Sequence, residues 1–224
     1  MALLPGGRLL EEPLAAVVEH RRRDEVRRAV AVDAGANIGV YSQFLAQCVG
    51  PEGAVHSFEP SAENFERLRR TTKGLSQIHL NHLAVGDTTG DIVLYISDDL
   101  NVDHRTYPTE GEERRTATLR STKLDDYFPA GARVDGIKMD IQASELHALR
   151  GARRVLTENV NIKLLLEYWP YGLRHAGCSS HELFAFLREL EFKISSSGSE
   201  LQDPPRSKAE VDDPAFYLNL YAHR

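Results

Sequence analysis

A chain of 224 residues, 42% hydrophobic and 27% charged, is long enough and apolar enough for one large α/β domain rather than two small ones. Its net charge of −6, with acids and bases intermixed, argues against nucleic acid as the main partner, because phosphate binding needs a concentrated positive surface. No apolar stretch approaches the roughly 20 residues that span a bilayer, and the two cysteines, Cys48 and Cys178, lie far apart without metal-ligand spacing. A reduced, cytoplasmic setting without a membrane partner is therefore expected.

Residues 1–28 read as an N-terminal helical segment and 29–224 as the main domain. Pro5, Gly6, Gly7, Glu11 and Glu12 break any signal-peptide core near the start. Over 8–28, Leu10, Leu14, Val17, Val18 and Val26 fall on one helical face. The basic run Arg21, Arg22, Arg23, Arg27 and Arg28 is interrupted by Glu19, Asp24 and Glu25, which makes it a solvated face. Such a helix is a candidate lid or homodimer contact.

Ala29–Asp33 is a short apolar run of β type, Ile38–Val49 has helical periodicity, and Gly50-Pro51-Glu52-Gly53 stops it. Ala54–Phe58 is a second strand, a helix follows through Asn64, Phe65 and Leu68, and Ile78–Val85 is a third strand. The β-α-β-α-β order predicts a Rossmann-like parallel sheet with right-handed crossovers. Asp91–Ile96 and Thr116–Ser121 read as arms of an inserted antiparallel hairpin around a long polar segment. Then Val134–Asp140 is strand, Ala143–Leu156 helix, Asn161–Glu167 strand and His181–Leu190 helix. Phe192–Ser195 and Phe216–Tyr221 close the sheet, and Ser195–Lys208 between them is a connecting loop.

Asp33-Ala34-Gly35-Ala36-Asn37-Ile38-Gly39 sits where the first strand gives way to the first helix, the crevice in which doubly wound sheets bind ligands. Gly35 can take backbone angles closed to other residues, Gly39 permits close helix packing, and the helix-start amides suit an anionic group. Glu59 follows about twenty residues on, at the second strand end, where a carboxylate can accept from both ribose hydroxyls. Asn37 stands where a dinucleotide fingerprint has its second glycine, and Val40 where it has its third. That counts against an NAD-dependent oxidoreductase and for a nucleoside ligand lacking the pyrophosphate, such as S-adenosylmethionine. Asp33 could meet that ligand's ammonium, directly or through a water. A tight turn with a capping asparagine and no ligand is the plainer alternative.

From Val32 to Gly39, through Phe58-Glu59-Pro60, Leu83-Ala84-Val85-Gly86-Asp87, Gly90 and Lys123-Leu124-Asp125-Asp126-Tyr127, the chain resembles the FkbM family of methyltransferases. The likeness continues through Ile137-Lys138-Met139-Asp140, Glu145, Leu149-Arg150-Gly151-Ala152 and Leu166-Glu167. It implies a class I methyltransferase fold, a mostly parallel seven-stranded sheet flanked by helices, with S-adenosylmethionine as methyl donor. It also implies methylation of a hydroxyl on a small molecule, often a sugar or natural-product scaffold. One departure stands out: the family's Asp-Val-Glu-Gly-x-Glu is here Asp140-Ile141-Gln142-Ala143-Ser144-Glu145.

Methyl transfer to a hydroxyl needs alignment and removal of a proton. Asp140 and Glu167, at two strand ends, are the candidate bases, and Asp140 also faces the methyl end of the cofactor. Its plainer role is a helix N-terminal acid. His104 in the polar loop is a third candidate base. The expected cofactor contacts are Asp33, Gly35, Asn37, Gly39, Glu59, Pro60, Ala84 and Asp140, with His82 and Ala84 near the adenine. Tyr168-Trp169-Pro170-Tyr171-Gly172 either walls the acceptor pocket or packs beneath a loop. Asp140 and Glu167 could also hold Mg²⁺, but no metal is predicted. An N-methyltransferase and an inactive nucleoside-binding module remain alternatives.

Overall fold

The computed structural model describes residues 28–96, 115–204 and 211–224. The expected helix over 8–28, most of the long polar segment and His104 lie outside the described residues.

The chain builds β1 (Val30–Ala34), α1 (Val40–Val49), β2 (Ala54–Phe58), α2 (Ala62–Thr71) and β3 (Ile78–Asn81). It continues with β4 (Ala84–Val85), β5 (Gly90–Ile96), β6 (Arg115–Thr122), α3 (Leu124–Tyr127) and β7 (Gly136–Met139). Then come α4 (Glu145–Arg150), α5 (Arg153–Glu158), β8 (Lys163–Tyr168), α6 (Pro170–His175) and α7 (Ser180–Glu189). β9 (Lys193–Ser196), β10 (Ser199–Glu200) and β11 (Leu218–His223) complete it.

The large sheet has the order β10-β9-β11-β8-β7-β1-β2-β3. β3, β2, β1, β7 and β8 run parallel, and β11 inserts antiparallel between β8 and β9. Seven of the eight strands are those the family resemblance implies; the eighth, β10, is a two-residue return of the chain onto β9. Both faces are covered, which explains why β1 and β8 read as largely apolar runs, Val30–Val32 and Leu164–Leu166. Ala31, Val55 and Leu165 pack against Leu45, Ala46 and Val49 of α1 on one side. Ile137, Leu164 and Leu166 pack with Leu146, Leu149, Leu183 and Leu187 in the larger cluster.

Two expected elements are divided. Instead of one strand over Ile78–Val85, β3 stays on the large sheet while β4 pairs with β6 in a separate sheet of order β4-β6-β5. That small sheet contains the expected hairpin, with Gly90 opposite Ser121 and Ile96 opposite Arg115. Instead of one helix over Ala143–Leu156, α4 and α5 meet at Gly151-Ala152. The break lets two backbones touch: a Cβ on Gly151 would stand 2.0 Å from the Gly86 carbonyl oxygen. Asp125 then starts the second helix, its carboxylate accepting from Arg154 N–H at 2.8 Å and Val155 N–H at 2.9 Å. α6 begins with Pro170 at its first position, inside the expected aromatic cluster.

Candidate active site

Ladder register brings the site together before any side chain is considered. Asp33 pairs with Ser57 on one side and Lys138 on the other, and Ala34 with Phe58 and Met139. One residue further along lie Gly35, Glu59 and Asp140; since Met139 is opposite Leu166, Glu167 comes beside Asp140. The carboxyl ends of β2, β1, β7 and β8 therefore carry the candidate groups in one row.

The turn after β1 is held from three sides. The amides of Gly35 and Ala36 donate to the Phe58 carbonyl at 3.0 and 2.9 Å, and Glu59 Oε2 accepts from Asn37 N–H at 2.8 Å. Gly35 has φ +76°, and a Cβ there would stand 1.9 Å from the Asp140 carbonyl oxygen. The glycine thus admits the end of the neighbouring strand as well as the left-handed backbone. Asn37 is also left-handed, at φ 49°, a conformation asparagine adopts more readily than most residues. Gly39, at φ +91°, lets α1 close on α2: an added Cβ would meet Leu68 Cδ1 at 2.8 Å.

Beneath the turn runs a buried polar chain. Ser57 Oγ donates to Ser42 Oγ at 2.9 Å, and Ser42 Oγ to Asp33 Oδ2 at 2.7 Å. Lys138 Nζ lies 3.1 Å from Asp33 Oδ1 and donates to the Gly35 carbonyl at 2.9 Å, with the Tyr41 ring 4.8 Å away. The sequence has Asp33 meeting the ligand's ammonium directly or through a water; in the structure its two oxygens face Ser42 and Lys138 beneath the turn. Lys138 and Tyr41 were not expected among the functional residues. The signal for Lys138 was a lysine inside an otherwise apolar buried strand, which demands a partner. Tyr41 has none, because its place depends on Lys138. Burial raises the Tyr41 hydroxyl above its usual pKa.

Glu59 is 5% exposed, and its Oε1 accepts from Ser61 N–H at 2.8 Å. Burial pushes its pKa up to about 7 against the pull of these two amides. Each carboxylate oxygen has a second lone pair, so the group keeps capacity for two further donors. Two adjacent ribose hydroxyls match that capacity, and the residues fit the ribose end of S-adenosylmethionine. Nearby, the Pro60 carbonyl accepts from His82 Nε2 at 3.1 Å and His82 stacks on Phe65, ring centres 4.7 Å apart. Ala84 is buried in β4, opposite Ser121 in the small sheet.

The other end of the row is crowded with acids. Gln142 Nε2 donates to Asp140 Oδ1 and to Glu167 Oε2, each at 3.3 Å. Burial, the Asp140 and Glu145 charges and a hydrogen bond with Asp140 hold Glu167 well above the carboxylate range. Glu145 is 1% exposed; Oε1 accepts from Ile141 N–H at 3.0 Å, while buried Oε2 has no hydrogen-bond partner. Its pKa is pushed up to about 8, chiefly by burial. The segment between these acids has two consecutive left-handed residues without a glycine, Gln142 at φ 54° and Ala143 at φ 69°. Trp169 Nε1 donates to the Pro214 carbonyl at 2.9 Å, and Tyr168 is fully buried, so those two aromatics pack rather than wall a pocket. Among the described residues, no group of three or more His, Cys, Asp or Glu is placed to hold a metal ion.

Several solved structures share this fold. They include a SAM-dependent O-methyltransferase from Thermotoga maritima (TM-score 0.54, 9% identity, covering 100% of this chain and 66% of that one). A precorrin-6y C5,15-methyltransferase from Geobacter metallireducens gives TM-score 0.52 and 12% identity over 96% and 88% of the two chains. An rRNA methylase from Streptococcus thermophilus gives 0.51 and 12% over 100% and 98%. These likenesses establish the class I methyltransferase fold. In sequence, the chain is 25% identical over 203 residues to the methyltransferase sdnD of Sordaria araneosa, spanning 75% of each. The methyltransferase FkbM domain matches residues 33–194. With that match across most of its length, the chain belongs to the FkbM methyltransferase family, and the reaction it carries out is methyl transfer from S-adenosylmethionine.

Proposed function

We propose that this enzyme methylates a hydroxyl oxygen on a small metabolite, such as a sugar or natural-product scaffold, with the Asp140–Glu167 pair receiving the hydroxyl proton. The carrying observation is the pairing itself: two carboxyl groups at adjacent strand ends, bridged by one amide, with burial and the Asp140 charge raising the pKa of Glu167. Two acids so close cannot both ionise freely, so the pair holds one proton and keeps one basic site. S-adenosylmethionine, when bound, supplies a methyl carbon already activated by its sulfonium. Glu59 and the glycine turn would hold its ribose, while Asp33 and Lys138 keep that turn rigid. Asp140 takes the acceptor's O–H proton as the new bond forms, Glu167 stays protonated beside it, and Gln142 keeps the two at a fixed spacing. An amine acceptor needs far less of this, because its nitrogen lone pair attacks before the proton leaves. We place the reaction in the cytoplasm, with Cys48 and Cys178 forming no disulfide.

The test offers purified enzyme matched acceptors that differ only in a hydroxyl or an amine, and identifies products by mass spectrometry. O-methyl products are expected. Asp140→Asn and Glu167→Gln should each lower kcat by about a hundredfold or more, while S-adenosylmethionine affinity stays within about threefold. Exclusive N-methylation, or full turnover in both variants, would overturn the proposal. Cofactor binding without any product across a broad acceptor panel would leave the nucleoside-binding module in its place.

A further inference from the structure

A second cluster of reactive side chains lies apart from the carboxyl row. Asp87 follows β4, His147 is on α4 and Cys178 precedes α7, yet they form one hydrogen-bonded line. Asp87 Oδ2 is 2.6 Å from His147 Nδ1, and His147 Nε2 is 3.3 Å from Cys178 Sγ. The Ala176 carbonyl oxygen also lies 3.3 Å from Nε2. Beside the line opens a pocket of about 210 Å³, its wall including Val85, Asp87, Ile92, Ser144, His147 and Ala176. Asp87, His147 and Ala176 line that pocket; Cys178 is not part of its wall and adjoins it through the contact of its Sγ with His147 Nε2.

A carboxylate on Nδ1 holds the imidazole proton there and leaves the Nε2 lone pair facing the thiol. Nucleophile, base and orienting group are then in the order that activates a cysteine. From the Asp87–His147–Cys178 line we propose that Cys178 is a thiol-addition site for a small, neutral, carbon-centred electrophile, of the α,β-unsaturated carbonyl class, approaching by way of the His147 side of this pocket. The thiol proton passes to His147 Nε2, and the imidazolium so formed donates to the Ala176 carbonyl. The sulfur electron pair forms a bond to the β-carbon, the C=C electrons move to the α-carbon and carbonyl, and His147 returns the proton there. The product is a saturated thioether, with no oxidant consumed.

Burial raises the Cys178 thiol above its usual pKa, as do the charges of Glu182, Asp87 and Glu145 against that of Arg150. Little thiolate therefore exists at rest, and the neighbouring base becomes essential to reactivity. The negative charges felt at the thiol disfavour an anionic reagent, and Val85, Ile92 and Ala176 give the neighbouring pocket apolar surface. Its size suits a reagent below drug size.

The other thiol, Cys48 on half-buried α1 surface, is the internal standard. Folded enzyme is exposed to limiting methyl vinyl ketone, and each cysteine's labelling rate is read by peptide mass spectrometry. Burial alone predicts that Cys178, only 5% exposed, reacts more slowly than Cys48. The proposal predicts the reverse, with Cys178 faster by about tenfold or more. His147→Gln should slow Cys178 by about a hundredfold and leave Cys48 unchanged; Asp87→Asn should slow it several-fold. An unchanged Cys48 rate shows that each variant remains folded. A Cys178 rate at or below that of Cys48 in the parent enzyme, or one indifferent to His147→Gln in a folded variant, overturns the assignment.

Discussion

The two halves of the active-site row are built on opposite principles. At the ends of β1 and β2, polar groups answer one another: Asp33 has Ser42 and Lys138, and Glu59 has the amides of Asn37 and Ser61. The left-handed positions there carry Gly35, Asn37 and Gly39, residues suited to that backbone. At the ends of β7 and β8, Asp140, Glu145 and Glu167 crowd together, and Gln142 and Ala143 occupy left-handed conformations that favour glycine. The first half is braced by these contacts while Glu59 keeps acceptor capacity to spare; the second combines crowded acids with left-handed backbone at non-glycine residues, strain of the kind functional sites commonly hold.

This contrast can be broken by substitutions. Gly35→Ala should have the largest effect, about 3–5 kcal/mol of lost stability in denaturant titration, since it combines a left-handed alanine with a clash against the Asp140 carbonyl. A loss below about 1 kcal/mol would show that the turn is softer than its contacts indicate. Glu59→Gln comes next. Two charge-assisted hydrogen bonds are weakened, so S-adenosylmethionine affinity should fall by about 3 kcal/mol, roughly a hundredfold. In the parent enzyme, calorimetry should show affinity rising with pH through about 7, as Glu59 ionises and its carboxylate becomes the acceptor; the glutamine variant should lose that rise.

Changes at the other end should relieve rather than harm. Glu145 has a folded pKa of about 8, raised above its ordinary value of 4.5, so its contribution to stability is fully present below 4.5 and lost as pH rises through about 8. Unfolding free energy should therefore fall as pH rises from 5 to 9, and Glu145→Gln should flatten that decline. A slope unchanged by the variant would assign it to Glu167, which is shifted the same way. Smallest of all, Ala143→Gly should stabilise the fold by about 1 kcal/mol by releasing the left-handed alanine at φ 69°. Destabilisation would show that the Ala143 methyl contributes more to packing than its backbone costs.

The same divide governs what could be read from the chain. The first half is encoded locally: a β run, a glycine turn and an acid at the next strand end follow in order, so Gly35, Asn37 and Glu59 were legible from spacing. The second half depends on partners distant in sequence. Nothing between 143 and 156 announces that Gly151 must admit the Gly86 backbone, so one helix was expected where two form. Nothing near His82 says that the chain leaves the large sheet for β6, which divided the third strand. Asp140 and Glu167 were legible as strand-end acids, but Gln142, noticed only as a departure from the family pattern, proved to span them. The line from Asp87 through His147 to Cys178 joins residues 60 and 31 positions apart and left no local trace.

Gln142 also bears on which acceptors the enzyme tolerates. An amide cannot ionise, so this site has one potential negative charge fewer than a relative with glutamate there. At about 4 Å a single charge contributes roughly 1 kcal/mol of repulsion in water and about 4 kcal/mol near a protein surface. With the acceptor beside Asp140 and Glu167, as proposed, the amide spares an acidic metabolite one repulsion that glutamate would add to theirs.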